Sequence, residues 1–194
     1  MPRVSAQEFE QLPLRVHSFL AGVPLHDVWA VDLPRTRPGI NLDEFLRTVG
    51  ARPYKPSPAT RALLNIRFLI GRLFGWDREP PTTAVEMFAT RLTADDRSKS
   101  LAAPGTREGP FRVVYRFKNE QLLELSNRTA HAAALSALIE TEHAYRFYFG
   151  VYVRNVGRFT PVYMALIDPF RKLIFYPSLL RSVRTRWDQA FGSG

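Results

Sequence analysis

The sequence predicts an α+β fold in which an antiparallel meander sheet packs against one long C-terminal helix. Three observations predict it. Apolar and polar residues alternate over 144–154, the apolar period changes to that of a helix after Asn155, and the strand candidates upstream follow one another with short turns. Because sequential strands joined by short turns form a meander, the terminal helix has to bury its apolar side against that sheet.

The N-terminal part predicts one strand followed by two helices. Residues 26–33 alternate and are stopped by a proline. Asn41 is a suitable N-cap for a short amphipathic helix that ends at Gly50. A second, largely apolar helix is expected over 57–74, because this stretch opens with Ser-Pro and proline is favoured at the first helical position.

The middle of the chain predicts further strands. Residues 83–93 are rich in β-branched and apolar side chains, which are typical of a strand. Residues 94–109 are polar and contain a Pro-Gly pair, so a mobile loop is expected there. Residues 111–117 alternate cleanly, and a turn at 118–120 leads into a strand over 122–126.

A β-hairpin is predicted to end the sheet. Its first strand, up to Glu140, is rich in alanine, and propensity alone favours a helix there. Pairing favours a strand, because the aromatic strand at 144–154 needs a neighbour and a short polar turn at 141–143 makes the preceding segment the nearest one. Tyr145 and Phe147 share a face with Phe149 and two valines, which predicts a strand with one buried face.

The C-terminal helix is predicted to begin near Arg158. Pro169 and Pro177 lie inside the helical pattern, so the helix should kink or break near both. The residues of its apolar stripe are Met164, Ile167, Phe170, Leu173 and Ile174, continued by Leu180, Val183 and Trp187.

The run NVGRFTPVYMALIDPFRKLIFYP resembles the C-terminal signature of the DUF2867 family. The sequence departs from the family pattern at Arg171, where many relatives carry His. Members are placed in the START-like (SRPBCC, helix-grip) superfamily, so the resemblance implies a helix-grip fold with a cavity and supports a strand for the first half of the hairpin. It implies no reaction, because the family has no agreed biochemical activity. The matching residues are Gly157, Arg158, Tyr163, Ile167, Pro169, Phe170, Arg171 and Lys172.

Length and composition indicate a single domain over 1–194. Within it, residues 1–25 are expected to form an N-terminal cover segment, and 192–194 a frayed end or an added tail. The hydrophobic fraction of 45% supports a folded globule. The absence of cysteine excludes disulfides and thiolate metal sites. Neither a signal peptide nor a transmembrane segment is predicted, so a cytoplasmic location is expected.

A formal net charge of +9 raises the question of anionic partners. The arginines are scattered along the chain, with one local concentration at Arg181, Arg184 and Arg186. Proteins that track phosphates usually gather charge on one face of a recognisable module, so the distribution argues against a nucleic-acid site. A solvated basic surface is the simpler interpretation, and peripheral contact with an anionic membrane stays open.

The sequence contains no catalytic signature and no spacing typical of metal ligands or of a phosphate-binding loop. No residue is therefore assigned as catalytic, cofactor-binding or metal-ligating, and no cofactor is expected. His131 shares a predicted strand face with apolar residues, where it is either a general acid or base in a pocket or a hydrogen-bonded core histidine. The candidate pocket-lining residues are His131, Tyr115, Phe117, Tyr145, Phe147, Tyr163 and Phe170.

These features favour a binding module that holds a small apolar or amphipathic molecule between the sheet and the C-terminal helix. The alternative is a cavity enzyme that uses His131 with Tyr115 or Tyr145 for proton transfer. A third interpretation is a peripheral binder of anionic membranes or polyanions. The fold class alone does not separate the three, and the oligomeric state is not predicted.

Overall fold

The structure is a computed structural model. It describes residues 4–50, 58, 61, 65, 86–126, 131–155 and 159–192, without the side chains at 49, 50, 159–163 and 166. The α-helices are α1 (Ala6–Glu10), α2 (Arg15–Phe19), α3 (Leu42–Gly50), α4 (Ala94–Lys99), α5 (Phe159–Phe170) and α6 (Tyr176–Phe191). The strands are β1 (Leu25–Pro34), β2 (Arg107–Glu108), β3 (Phe111–Arg116), β4 (Glu120–Ser126), β5 (His131–Glu140) and β6 (Ala144–Arg154).

In the described part of the chain these strands form one six-stranded antiparallel sheet in the order β1-β6-β5-β4-β3-β2. The predicted α+β class and the predicted hairpin are confirmed. The alanine-rich segment is strand β5, which pairs with β6 from His131 opposite Arg154 to Glu140 opposite Tyr145. Thr141 closes the turn, because its backbone N–H and its hydroxyl both donate to the carbonyl of Ala144.

Both faces of the sheet are covered, whereas the sequence predicted one buried face for β6. On the face here called the helix face, Tyr145 and Phe147 lie in a buried cluster with Trp187 of α6. On the opposite face, here called the N-terminal face, Tyr148 lies in a buried cluster with Phe9 of α1. The alternation was misleading because tyrosine buries its ring as well as a phenylalanine does, even where the pattern counts it as polar.

The C-terminal helix runs through α5, a π-helical turn at Arg171–Phe175 and α6. The prediction that the helix is disturbed near its prolines is confirmed, although the chain widens into a π-turn and does not break. Pro177 stands in the first turn of α6, where its missing N–H costs least. The N–H of Tyr176 donates to the carbonyl of Arg171, five residues back, and this wider turn lies between the two prolines.

Part of the predicted apolar stripe does not face the sheet. Met164 is buried against Val153 of β6, and Leu180 and Trp187 are fully buried. Phe170 and Leu173, by contrast, are 47% and 76% exposed. A period of about three and a half residues holds for an unbroken α-helix, and the π-turn at Arg171–Phe175 shifts that period for Leu173 and the residues that follow.

Two predictions for the middle of the chain are wrong. Residues 86–93, the described part of the strand predicted at 83–93, contain a 3-10 turn at Phe88–Arg91. Residues 94–109 were predicted as a loop, but they begin with α4 and end with β2. Thr93 and Asp96 form a capping box that starts α4. The helix predicted over 57–74 lies almost entirely outside the described residues.

The outer edge of β1 is held by hydrogen bonds from outside the sheet. Carbonyls at alternate positions of an edge strand point away from the neighbouring strand and need other donors. One donor is the backbone of the N-terminal segment, and two are side chains of α6. The bonds are Val4 N–H to Val28 O at 3.1 Å, Arg184 Nη1–H to Asp32 O at 2.8 Å, and Trp187 Nε1–H to Pro34 O at 2.9 Å.

Candidate functional site

An open cleft of about 410 Å³ lies where the C-terminal helix meets one end of the sheet. The start of β1, the end of β6 and the middle of α5 form its walls. Its lining combines apolar and polar side chains, as a binding site for a small molecule usually does. The lining residues are Pro24, Leu25, His26, Val153, Asn155, Met164, Ala165 and Asp168.

Asp168 is the centre of the polar wall of the cleft. Its Oδ1 lies 2.8 Å from Nε2 of His26 and accepts a hydrogen bond from Nη1 of Arg171 at 3.1 Å. Its Oδ2 accepts from Nζ of Lys172 at 2.7 Å. Burial acts to raise the pKa of Asp168, but the hydrogen bonds from Lys172 and His26 outweigh it, so this pKa lies below its usual range.

A second layer lies beneath Asp168. Asp27 has a fully buried side chain, and its Oδ2 accepts from Nη2 of Arg171 at 3.4 Å. The same guanidinium also donates to the hydroxyl of Tyr176. Burial raises the pKa of this tyrosine, which therefore stays neutral. Arg171 thus joins the cleft wall to the interior, because one side chain contacts both carboxylates and the phenol.

His26, Asp27 and Asp168 are the only described group that could supply three metal ligands, with their ligand atoms all within 4.8 Å of one another. Histidine nitrogen with carboxylate oxygen suits zinc and similar ions. In this structure, however, Arg171 and Lys172 already compensate the two carboxylates. The arrangement is a compensated ion-pair network, suited to hydrogen bonding with a ligand more than to holding a divalent cation.

Comparison with known proteins gives one match. The family model described as a protein of unknown function, DUF2867, matches residues 19–178. The chain belongs to the DUF2867 family. No curated protein and no solved structure matches the chain. The matched range includes the cleft and the whole Asp168 network of this DUF2867 chain.

Five of the seven residues expected to line one pocket lie in or next to the sheet, and they are divided between its two faces. Tyr145 and Phe147 are buried on the helix face in the cluster with Trp187. The Tyr145 hydroxyl donates to the carbonyl of Arg37 at 2.9 Å and accepts from the N–H of Ile40 at 3.0 Å, so it fastens a loop. Phe170 is nearly half exposed. The side chain of Tyr163 lies outside the described part.

His131, Tyr115 and Phe117 lie on the N-terminal face. His131 is fully buried, its Nε2 is 2.5 Å from Oε1 of Glu124, and Phe88 stacks on its ring at 4.1 Å between centroids. Oε1 of Glu124 also accepts from the N–H of Phe88 at 2.7 Å. His131 therefore pairs with a carboxylate and links the sheet to the 3-10 turn.

The structure does not join His131 to either tyrosine proposed as its catalytic partner. Tyr145 points to the opposite face, because strand neighbours alternate and Tyr145 stands opposite Glu140. Tyr115 shares the face of His131 but stands level with Leu122 and Leu135. Four residues of β5 separate that level from His131, roughly 13 Å along the strand.

Sequence reasoning missed the polar wall of the cleft. The sequence patterns assign no role to His26 or Asp168. One signal was available, because Asp168, Arg171 and Lys172 are three and four residues apart and such positions meet on a helix. His26 and Asp27 carried no comparable signal, since their partners Asp168 and Arg171 lie more than half the length of this DUF2867 chain away.

Proposed function

We propose that this DUF2867 protein binds a small amphipathic molecule in the cleft between the start of β1, the end of β6 and the C-terminal helix. The observation that carries the proposal is the double character of the lining. Leu25, Val153 and Met164 offer an apolar wall, and His26 and Asp168 offer a polar one. A ligand with one polar group and a hydrocarbon or aromatic part satisfies both walls.

The polar wall favours a ligand that exchanges hydrogen bonds. Asn155 supplies an amide that both donates and accepts, and His26 is part exposed with its Nε2 directed at Asp168. Because Asp168 is held by three basic side chains, its position is fixed before a ligand arrives. Such preorganisation lowers the entropy lost on binding.

We also propose that the protein is related to the START-like superfamily, as the resemblance of its C-terminal motif implies. An antiparallel sheet with a long C-terminal helix across one face, and a cleft between them, supports a START-like, helix-grip ancestry. The described residues place the helix across β1 and β6 and leave the cleft at one end of that contact. A ligand bound between sheet and helix is the expected use of this arrangement.

The test blocks the cleft from its exposed rim. Ala165 lines the cleft on α5 and is exposed, so Ala165→Trp fills the opening without disturbing the core. The probe is 1-anilinonaphthalene-8-sulfonate, an amphipathic dye, added to the folded protein and followed by fluorescence. We expect Ala165→Trp to weaken dye binding about tenfold or more and to leave the melting temperature unchanged.

Thr185→Trp is the matched control, because Thr185 is exposed on the same helix but lies outside the cleft. It should bind the dye as the parent protein does. Native mass spectrometry of the same three proteins provides an independent measurement, since a molecule that co-purifies in the cleft should be absent only from Ala165→Trp. Equal dye binding by all three proteins would overturn the proposed site.

A further inference from the structure

Two of the most exposed large apolar side chains lie together on the C-terminal helix. Of the described residues, three large hydrophobic side chains are exposed: Leu101, Phe170 and Leu173. Phe170 ends α5 and Leu173 lies in the π-turn that follows, so the two side chains leave the helix within one turn of each other. Leu173, at 76%, is almost wholly in solvent. Exposed apolar residues are ordinary when single, but an adjacent pair on one helix indicates a contact surface.

A basic residue stands farther along the helix. Arg181 is exposed, whereas Tyr176, Leu180, Val183 and Trp187 point inward and are buried. Arg184 is not counted with it, because its guanidinium donates to Asp32 O at the edge of β1 and lies 3.4 Å from Asp188. Arg181 donates its Nε–H to the carbonyl of Pro177 at 3.1 Å, so its positive charge is not offset by a carboxylate there. Of the five basic side chains in residues 159–192, Arg171 and Lys172 pair with Asp168, and Arg184 pairs with Asp188. The outward side therefore combines an apolar pair with the exposed charge of Arg181.

We propose that this outward side of the C-terminal helix, defined by Phe170, Leu173 and Arg181, docks the protein on an anionic membrane surface. Helices that bind in the plane of a membrane insert a few apolar side chains among the headgroups and hold anionic lipids with Arg or Lys. Each basic residue near such a surface adds to the attraction, and the net charge of +9 acts in the same direction.

The apolar pair decides between a membrane and other anionic partners. A nucleic acid would use the arginines but gains little from Phe170 and Leu173, because its backbone offers phosphate and not hydrocarbon. A second copy of this chain would bring an equally basic helix to the contact, and like charges repel. A lipid surface with anionic headgroups takes up both features. In the described residues no helix is long and apolar enough to cross a bilayer, so the contact is peripheral.

The docking side is next to the cleft. Asp168 and Ala165 line the cleft on α5, and Phe170 follows Asp168 within the same turn. The membrane proposal does not depend on the cleft being occupied, because its residues are outside the lining. A ligand that leaves the cleft would therefore reach the lipid surface over a short distance.

The experiment is co-sedimentation of the purified protein with vesicles. One set contains phosphatidylcholine alone, and the other contains equal parts phosphatidylserine and phosphatidylcholine. We expect binding to the second set only, reduced by added salt because the charge attraction is screened. Leu173→Glu should weaken vesicle binding about tenfold or more, since it removes the leucine that would insert among the lipids and adds a negative charge.

Leu101→Glu is the matched control, because Leu101 is also an exposed leucine but lies beside β3, away from the C-terminal helix. It changes the net charge equally and should leave vesicle binding unchanged. Arg181→Glu should weaken binding without altering the melting temperature. The proposal is overturned if the parent protein does not sediment with anionic vesicles, if the two leucine variants lose binding equally, or if Leu173→Glu binds normally but dissociates a dimer in analytical ultracentrifugation.

Discussion

His131 and Glu124 form a closed pair in the interior of the protein, with Nε2 of the histidine 2.5 Å from Oε1 of the glutamate. The two stand on neighbouring strands, and both side chains are almost completely buried. Nδ1 of His131 and Oε2 of Glu124 have no hydrogen-bond partner within the described part of the chain. Neither residue can therefore be removed without leaving the other short of its main contact.

We expect His131→Ala to lower the free energy of unfolding by about 3 kcal/mol, because it breaks a buried pair and removes the ring on which Phe88 stacks. Urea denaturation measures this. His131→Ala, Glu124→Ala and the double variant form a double-mutant cycle. This cycle should show a coupling free energy between the two side chains of at least about 1 kcal/mol. His143→Ala, at a side chain 87% exposed, controls for the loss of an imidazole. Additive costs in the cycle would contradict the pairing.

Glu120 should make stability fall as pH rises. Burial raises the pKa of this carboxyl to about 7 from 4.5, although hydrogen bonds from the backbone N–H groups of Arg15 and Val16 oppose the rise. Between these values the folded state binds more protons than the unfolded state, so folding loses stability with rising pH, by about 3 kcal/mol in total. The loss is complete above the folded pKa.

Glu120→Gln removes that titration and should flatten the dependence. The measurement is urea denaturation at about pH 5 and about pH 8, where the difference between parent and variant should change by as much as about 3 kcal/mol in favour of the variant. Glu142→Gln, at an exposed carboxyl, controls for the loss of one negative charge. A parent-to-variant difference that is the same at both pH values would rule out Glu120 as the titrating group.

Phe170 and Trp187 lie on the same helix but should differ in their contribution to stability. Trp187 is fully buried and packs with Phe45 and Tyr145, so Trp187→Ala should cost about 3 to 5 kcal/mol. Phe170 is 47% exposed, and Phe170→Ala should cost less than about 1 kcal/mol. Thermal unfolding of both variants tests the comparison. A large loss in Phe170→Ala would mean that its ring packs in the core.

Arg171 should stabilise the protein through the buried Asp27. Arg171→Met removes the guanidinium and leaves that carboxylate uncompensated, at a cost of about 1 to 3 kcal/mol. Adding Asp27→Asn should recover part of the loss, because the uncompensated charge is removed. Arg181→Met, at an exposed arginine of the same helix, should be nearly neutral. Equal losses of unfolding free energy in Arg171→Met and Arg181→Met would show that the contact between Arg171 and Asp27 does not stabilise the protein.

The sheet could be predicted from the sequence wherever two strands share a turn and alternate. The β5–β6 hairpin met both conditions. The pairing of β5 with β6 outweighed the helix propensity of the alanines in β5. The 3-10 turn at Phe88–Arg91 could not be predicted, because a contact far along the chain, from Phe88 to Glu124, holds it. Helix α4 was predictable in principle, since Thr93 and Asp96 have the spacing of a capping box.

The candidate site was less accessible to sequence reasoning than the fold. The polar wall joins His26 of β1 to Asp168 of α5, and no local pattern in either segment indicates this contact. The seven residues chosen as pocket lining share aromatic or titratable character, but that character does not say which face of the sheet each one occupies. The strand register decides the face of each residue. In β6 it buries Tyr145 on one face of the sheet and Tyr148 on the other.

The hydrogen bonds along the outer edge of β1 have a consequence for how copies of this protein can meet. A bare edge strand offers a row of carbonyls and N–H groups on which a strand of another molecule can form. Here Arg184 and Trp187 occupy two of those carbonyls, and the last residue of the strand is a proline with no N–H to offer. The helix that covers the face of the sheet therefore also blocks strand addition at this edge, and losing it would expose a template for aggregation as well as an apolar surface.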